Sequence, residues 1–135
     1  GKGIGSPLVE HRTMQTLEGI IAQAVKWGID RTEAEAFCEA ESLRLEDLWN
    51  RMAVRIAKCF EAGTLSFDEA DAAMNAIWHE MVEDAVRFGD GFEFPEPAFS
   101  IYEAFDAGEF DHGDGGDPVE KYTKPRLAEI LQPRS

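Results

Sequence analysis

An all-α fold, an antiparallel three- to four-helix bundle over about 7–88 followed by an irregular C-terminal arm carrying short helices, is predicted by three features of this 135-residue sequence. Apolar residues recur at helical rather than alternating spacing over most of the first 88 positions. Residues that open and close helices punctuate those stretches at short intervals. The character of the chain then changes abruptly at Gly89-Asp90-Gly91.

Taken in order, residues 1–6 are glycine-rich and aperiodic, and read as a tag remnant or disordered start. Ser6-Pro7 pairs a capping residue with a proline suited to the first helical position, and Met14, Leu17, Ile20, Ile21 and Ala24 follow at helical spacing. A first helix over about 7–27 is expected, closed by Gly28. Thr32 and Glu35 match a capping box that would open a long second helix carrying Phe37, Leu45, Leu48, Trp49, Met52, Ile56, Cys59 and Phe60. Its pattern loosens near Ser42, where a break would make the bundle four helices; Gly63 ends it. Ser66 and Glu69 form a second capping box, after which Phe67, Ala70, Met74, Ile77, Met81, Ala85 and Phe88 hold one stripe.

The region 89–135 reads as an acidic, aromatic arm. Pro95 and Pro97 keep its beginning extended, and Pro97 can start a short helix with Phe99, Ile101, Tyr102 and Phe105 that Gly108 closes. A loop of glycines and aspartates runs from Asp111 to Asp117. Asp117-Pro118 suits another helix start, Pro125 is expected to interrupt it, and Leu127, Ile130 and Leu131 suggest a final turn or two.

Hydrophobic residues make up 44% and charged residues 30% of the chain, enough apolar surface for one folded domain. The balance of 27 Asp and Glu against 13 Lys and Arg leaves a formal charge of -14. Such a surface repels nucleic acid and anionic lipid headgroups and favours basic proteins and metal cations. No apolar run approaches the ~20 residues of a membrane span, and the first residues lack the pattern of a secretory signal. The expected compartment is the cytoplasm. Cys38 and Cys59 have no metal-site spacing and read as free thiols.

From Asp90 to Glu120 the arm holds ten acids and no Lys or Arg, interleaved with aromatic rings. Aromatic anchors inside a charged rim are a common interface composition, and acidic surfaces speed the capture of cationic ones. Two readings of the rings stand side by side: they pack on the bundle while the acids face water, or they dock a partner. The sequence thus suggests a non-catalytic interaction module, an inhibitor or adaptor that binds a basic protein. Its contact residues would be Phe92, Phe94, Glu96, Phe99, Tyr102, Glu103, Asp106 and Phe110. A homodimer is the expected assembly, since an arm laid across a second subunit would bury those rings and the second helix is long for a compact monomer.

Other constellations suggest other chemistry. Glu80-x-x-Glu83 followed by Glu103-x-x-Asp106 resembles the ExxE and ExxD pattern of the all-α, magnesium-dependent nucleotide pyrophosphohydrolases. That resemblance implies Glu80, Glu83, Glu103 and Asp106 as ligands for Mg or Mn bridging substrate phosphates, a task for hard oxygen donors. His79-Glu80-Met81-Val82-Glu83 is a zinc HExxH signature with Glu in place of the second His, on a face shared by Asp71 and Asn75. Glu109, Asp111, Asp114, Asp117 and Glu120 miss the EF-hand register, so a solvated loop is expected. Trp27, Trp49 or Trp78 could line a small-ligand pocket between helices. No GxSxG, Walker or GxGxxG pattern occurs.

Overall fold

The computed structural model describes residues 15–133, so the tag-like start and the expected helical turns at 7–14 lie outside the described residues. Within them are six α-helices: α1 (Leu17–Lys26), α2 (Arg31–Glu41), α3 (Leu45–Ala62), α4 (Phe67–Phe88), α5 (Ala98–Ala107) and α6 (Lys124–Ile130), the last preceded by a π-helical turn, Val119–Thr123. None of these helices is long and apolar enough to cross a membrane.

Local chemistry sets most of the boundaries. The Thr16 hydroxyl accepts from the Gly19 N–H at 3.0 Å and opens α1. The second helix opens two residues before the expected capping box: the Asp30 carboxylate accepts from the Thr32 and Glu33 amides at 2.9 and 3.3 Å, leaving Thr32 inside the helix. An ionised carboxylate is the stronger acceptor at the positive end of a helix. The expected long second helix is two helices. Ser42 turns left-handed (φ 57) and the Leu43 amide bonds back to the Cys38 carbonyl at 2.8 Å. This break lets Cys38 on α2 and Leu48 and Trp49 on α3 all reach the core. It also removes the argument for a dimer from helix length. Gly63, at φ 85, closes α3 as expected. The Ser66–Glu69 capping box opens α4, with reciprocal bonds of 3.1 and 2.9 Å.

α3 and α4 form the antiparallel centre: Trp49 meets Asp84 at one end, and the Phe60 and Phe67 rings meet at 6.1 Å at the other. α1 packs mainly on α4, and α5 packs on both central helices. The fully buried large side chains are Leu48, Trp49, Met52 and Ile56 of α3, Met74, Ile77 and Met81 of α4, Ile101 and Phe105 of α5, and Leu127 of α6. Each apolar one contributes roughly 1.5–3 kcal/mol of burial free energy. The core therefore continues across Gly89, and α5 belongs to the bundle itself. Phe88, expected in the α4 stripe, is 69% exposed: it ends the helix, one turn beyond Asp84, the last residue of α4 that is buried.

Side-chain hydrogen bonds, both remote and local in sequence, hold α5. The Asn50 side chain of α3 accepts from the Ala98 N–H at 3.0 Å, and Glu96 accepts from the Ser100 amide and hydroxyl at 3.1 and 2.7 Å. At the other end the Thr123 hydroxyl donates to the Ala104 carbonyl at 2.8 Å. Pro125 does not interrupt the last helix. It sits at the second position of α6, where no intrahelical N–H is required, and the Lys124 amide reaches back to the Val119 carbonyl in the wide π turn. The 111–117 loop closes around Lys121. The Lys121 ammonium donates to the Asp114 and Gly115 carbonyls at 3.3 and 2.9 Å and pairs with the Asp114 carboxylate at 3.2 Å, so a cation of the chain's own occupies the loop.

Candidate functional site

Asp68, Asp71 and Asn75 lie on the first three turns of α4, and Tyr102 and Asp106 on α5, which packs beside it. After Asp106 the chain turns at Gly108, and the Glu109 amide bonds back to the Asp106 carbonyl at 3.1 Å. That turn returns Glu109 to α4. The Asn75 amide donates to Asp71 at 3.4 Å and to Glu109 at 3.3 Å, tying the two carboxyl groups together. Among the described residues, none of Asp68, Asp71, Asp106 and Glu109 has a Lys, Arg or His within salt-bridge distance.

The electrostatic consequence falls on Asp71. Partial burial, then a hydrogen bond with Glu109, then the charges of Glu109, Asp106 and Asp68 push its carboxyl from 3.8 to about 7. Two carboxylates this close share a proton more readily than both ionise. Burial, followed by the charges of Asp106, Glu109, Asp71 and Glu103, likewise raises the Tyr102 phenol. Beside the cluster, Phe110 is 53% exposed, its ring 4.3 Å from that of His112, which in turn packs at a tilt against Tyr122 at 4.0 Å. The site is thus an unneutralised acidic patch with an aromatic ring at its edge.

The expected contact residues divide between two surfaces. Phe92, Phe94, Phe99 and Tyr102 form a run of half-buried rings seated on Trp78 of α4: Tyr102 stacks on Trp78 at 4.6 Å, Phe94 packs against it at 5.1 Å, and Phe94 stacks on Phe99 at 5.1 Å. The rings thus pack within the chain. Glu96 caps α5. Tyr102 and Asp106 face the acidic cluster, and Glu103, Glu109 and Phe110 are exposed around it. The pairing of Asp71 with Glu109 has no signal in the sequence: Asp71 lies on the helix face of Asn75 and His79, Glu109 lies in the loop, and only the turn at Gly108 joins them.

The structure does not gather the carboxylates of the ExxE and ExxD pair. Glu80 points inward, where Arg31 donates to it at 2.8 Å through Nε, while Glu83 faces solvent from the same helix. Among the described residues, no group of three or more His, Cys, Asp and Glu side chains is arranged to hold a metal ion. A carboxylate committed to a guanidinium is a poor metal ligand, so this donor set does not fit Mg or Mn. His79 and Glu83 are exposed and Glu80 is buried, which separates the HExxE residues onto two faces.

Arg31 is the centre of a second, structural network that the sequence did not reveal. It also donates to Asp84 at 2.8 Å and to the Glu80 carbonyl at 3.2 Å, and the Trp49 indole N–H donates to Asp84 at 3.1 Å. Burial opposes the charge on Arg31, but its bonds to Asp84 and Glu80 outweigh that cost and raise its pKa. Trp49 is therefore a core residue with a satisfied N–H, Trp78 a platform for the arm, and Trp27, at 83% exposed, lines no pocket between helices.

Protein-family models, curated proteins and solved structures yield no match to the chain. The function is accordingly argued from the chemistry of this surface.

Proposed function

We propose that this protein is a non-catalytic interaction module, an inhibitor or adaptor, whose acidic patch receives a basic surface of a partner protein. The observation that carries this reading is the cluster of Asp68, Asp71, Asp106 and Glu109 without a cationic neighbour among the described residues, next to the exposed ring of Phe110. A Lys or Arg entering the cluster would supply the missing counter-charge and hydrogen-bond donors, and Phe110 and Tyr102 would shield the pair from water. The expected location is the cytoplasm and the expected assembly a homodimer. Free Cys38 and Cys59 support the first reading, and exposed Trp27, Val86 and Phe88 support the second.

The mechanism predicts a proton signature. With its carboxyl pushed to about 7, Asp71 is partly protonated at neutral pH, and an incoming cation favours its ionised form, so binding at neutral pH releases a fraction of a proton. Calorimetric titration with an arginine- and lysine-rich peptide, in buffers of different ionisation enthalpy, should show saturable binding with proton release. Asp106→Asn combined with Glu109→Gln should weaken binding about ten-fold. Absence of binding, or affinity unchanged in that variant, would rule the reading out.

A further inference from the structure

One groove carries the opposite charge. Leu17 of α1 and Asn50, Arg51, Val54, Arg55 and Lys58 of α3 line a surface groove of about 370 Å³. Its floor is apolar, made by half-buried Leu17 and Val54, and the exposed cationic chains of Arg51, Arg55 and Lys58 stand around it at i, i+4 and i+7. Arg55 bonds to Glu18 at 3.0 Å across one lip. Neither Arg51 nor Lys58 has a carboxylate within salt-bridge distance among the described residues. In a chain with twice as many acids as bases, three cations around one apolar strip form a local reversal of the field.

We propose that this groove is a second docking site, for an acidic amphipathic segment of a partner protein. Its aliphatic side chains would enter between Leu17 and Val54 while its carboxylates pair with Arg51, Arg55 and Lys58. The charge selects the occupant. Arg51 to Lys58 spans roughly 10 Å at 1.5 Å per residue, the length of about two helical turns of a bound peptide. An apolar floor gives nothing to a phosphate, so a simple polyanion gains only the rim. The Debye length is about 8 Å at physiological salt. A short peptide in the groove therefore senses the local cations, whereas an extended nucleic acid must also approach the acidic remainder of the molecule. This site is separate from the acidic patch and stands without it.

The test is fluorescence anisotropy with a labelled peptide of glutamates interleaved with leucines at helical spacing. A serine-for-leucine version and a single-stranded oligonucleotide of equal charge serve as comparisons. The leucine peptide should bind saturably and about ten-fold more tightly than either comparison. Arg51→Glu combined with Lys58→Glu should weaken it at least about ten-fold, as should Val54→Asp, while Asp106→Asn with Glu109→Gln leaves it unchanged. The altered side chains of α3 are exposed or half-buried, and circular dichroism checks the fold; if the charge reversals unfold the protein, Arg51→Gln with Lys58→Gln replaces them. Equal binding of all three probes, no saturation, or indifference to the groove variants overturns the proposal.

Discussion

At the scale of single residues, the chain resolves its charge excess in three ways. Arg31 neutralises Glu80 and Asp84 where they enter the core, and Lys121 pairs with the Asp114 carboxylate of the 111–117 loop. Asp71 is left to keep a proton. Its folded value of about 7 lies above its ordinary 3.8, so between these values the unfolded chain has released a proton that the fold retains. Stability from this group is complete below about pH 4 and is lost as pH rises through 7. The full shift would correspond to roughly 4 kcal/mol, but the group is half exposed and water screens it, leaving about 1–2 kcal/mol. Asp71→Asn should therefore raise stability at pH 8 by about that amount while changing it little at pH 4. Urea denaturation at the two pH values checks this, and equal effects at both would contradict the shared-proton arrangement.

At the scale of elements, α5 depends on side chains from elsewhere at both ends. Asn50 caps its start, and the π turn presses Thr123 against its end. Gly108 makes that contact possible through lack of bulk, since its φ of −84 is open to any residue. A Cβ there would overlap the Thr123 hydroxyl and lie 3.0 Å from a ring carbon of Phe67. Relief by rotating Thr123 would cost its bond to the Ala104 carbonyl. Gly108→Ala should therefore destabilise the protein by about 1–3 kcal/mol, lowering the melting temperature by roughly 3–12 °C. Gly113→Ala is strained by its φ of 80 but meets no neighbouring atom within 4 Å, so its smaller loss provides the comparison. A neutral Gly108→Ala variant would mean that the π turn does not bear on α5.

For the whole molecule, charge and apolar exposure make opposite demands. The net charge of -14 keeps copies apart and draws basic partners, whereas Trp27, Val86 and Phe88, at 83%, 78% and 69% exposed, favour association. Salt separates the two effects, because it screens repulsion between acidic copies and weakens attraction to a basic peptide. Light scattering after gel filtration should show a dimer that strengthens from 50 to 500 mM salt, while affinity for the basic peptide falls over the same range. A monomer mass at both salt concentrations, at about 100 μM protein, would contradict the dimer.

Much of the bundle was legible because its determinants are local. The Ser66–Glu69 box, Gly63 and the stripe from Ala70 to Met81 each lie within one short stretch of sequence. The αL turn at Ser42 uses a residue that rarely signals one, and Asp30 outcompeted the nearby Thr32, so those boundaries moved. The site was legible in composition but not in arrangement: an acid-rich arm was evident, whereas the meeting of Asp71 with Glu109 was not. The amino-acid order by itself determined helical periodicity, charge excess and most of the stops. Only tertiary packing decided that Glu80 turns to Arg31, that Trp78 carries the arm's rings and that one carboxyl keeps its proton. Those outcomes depend on groups brought together across dozens of residues, where burial and Coulomb interactions act through space.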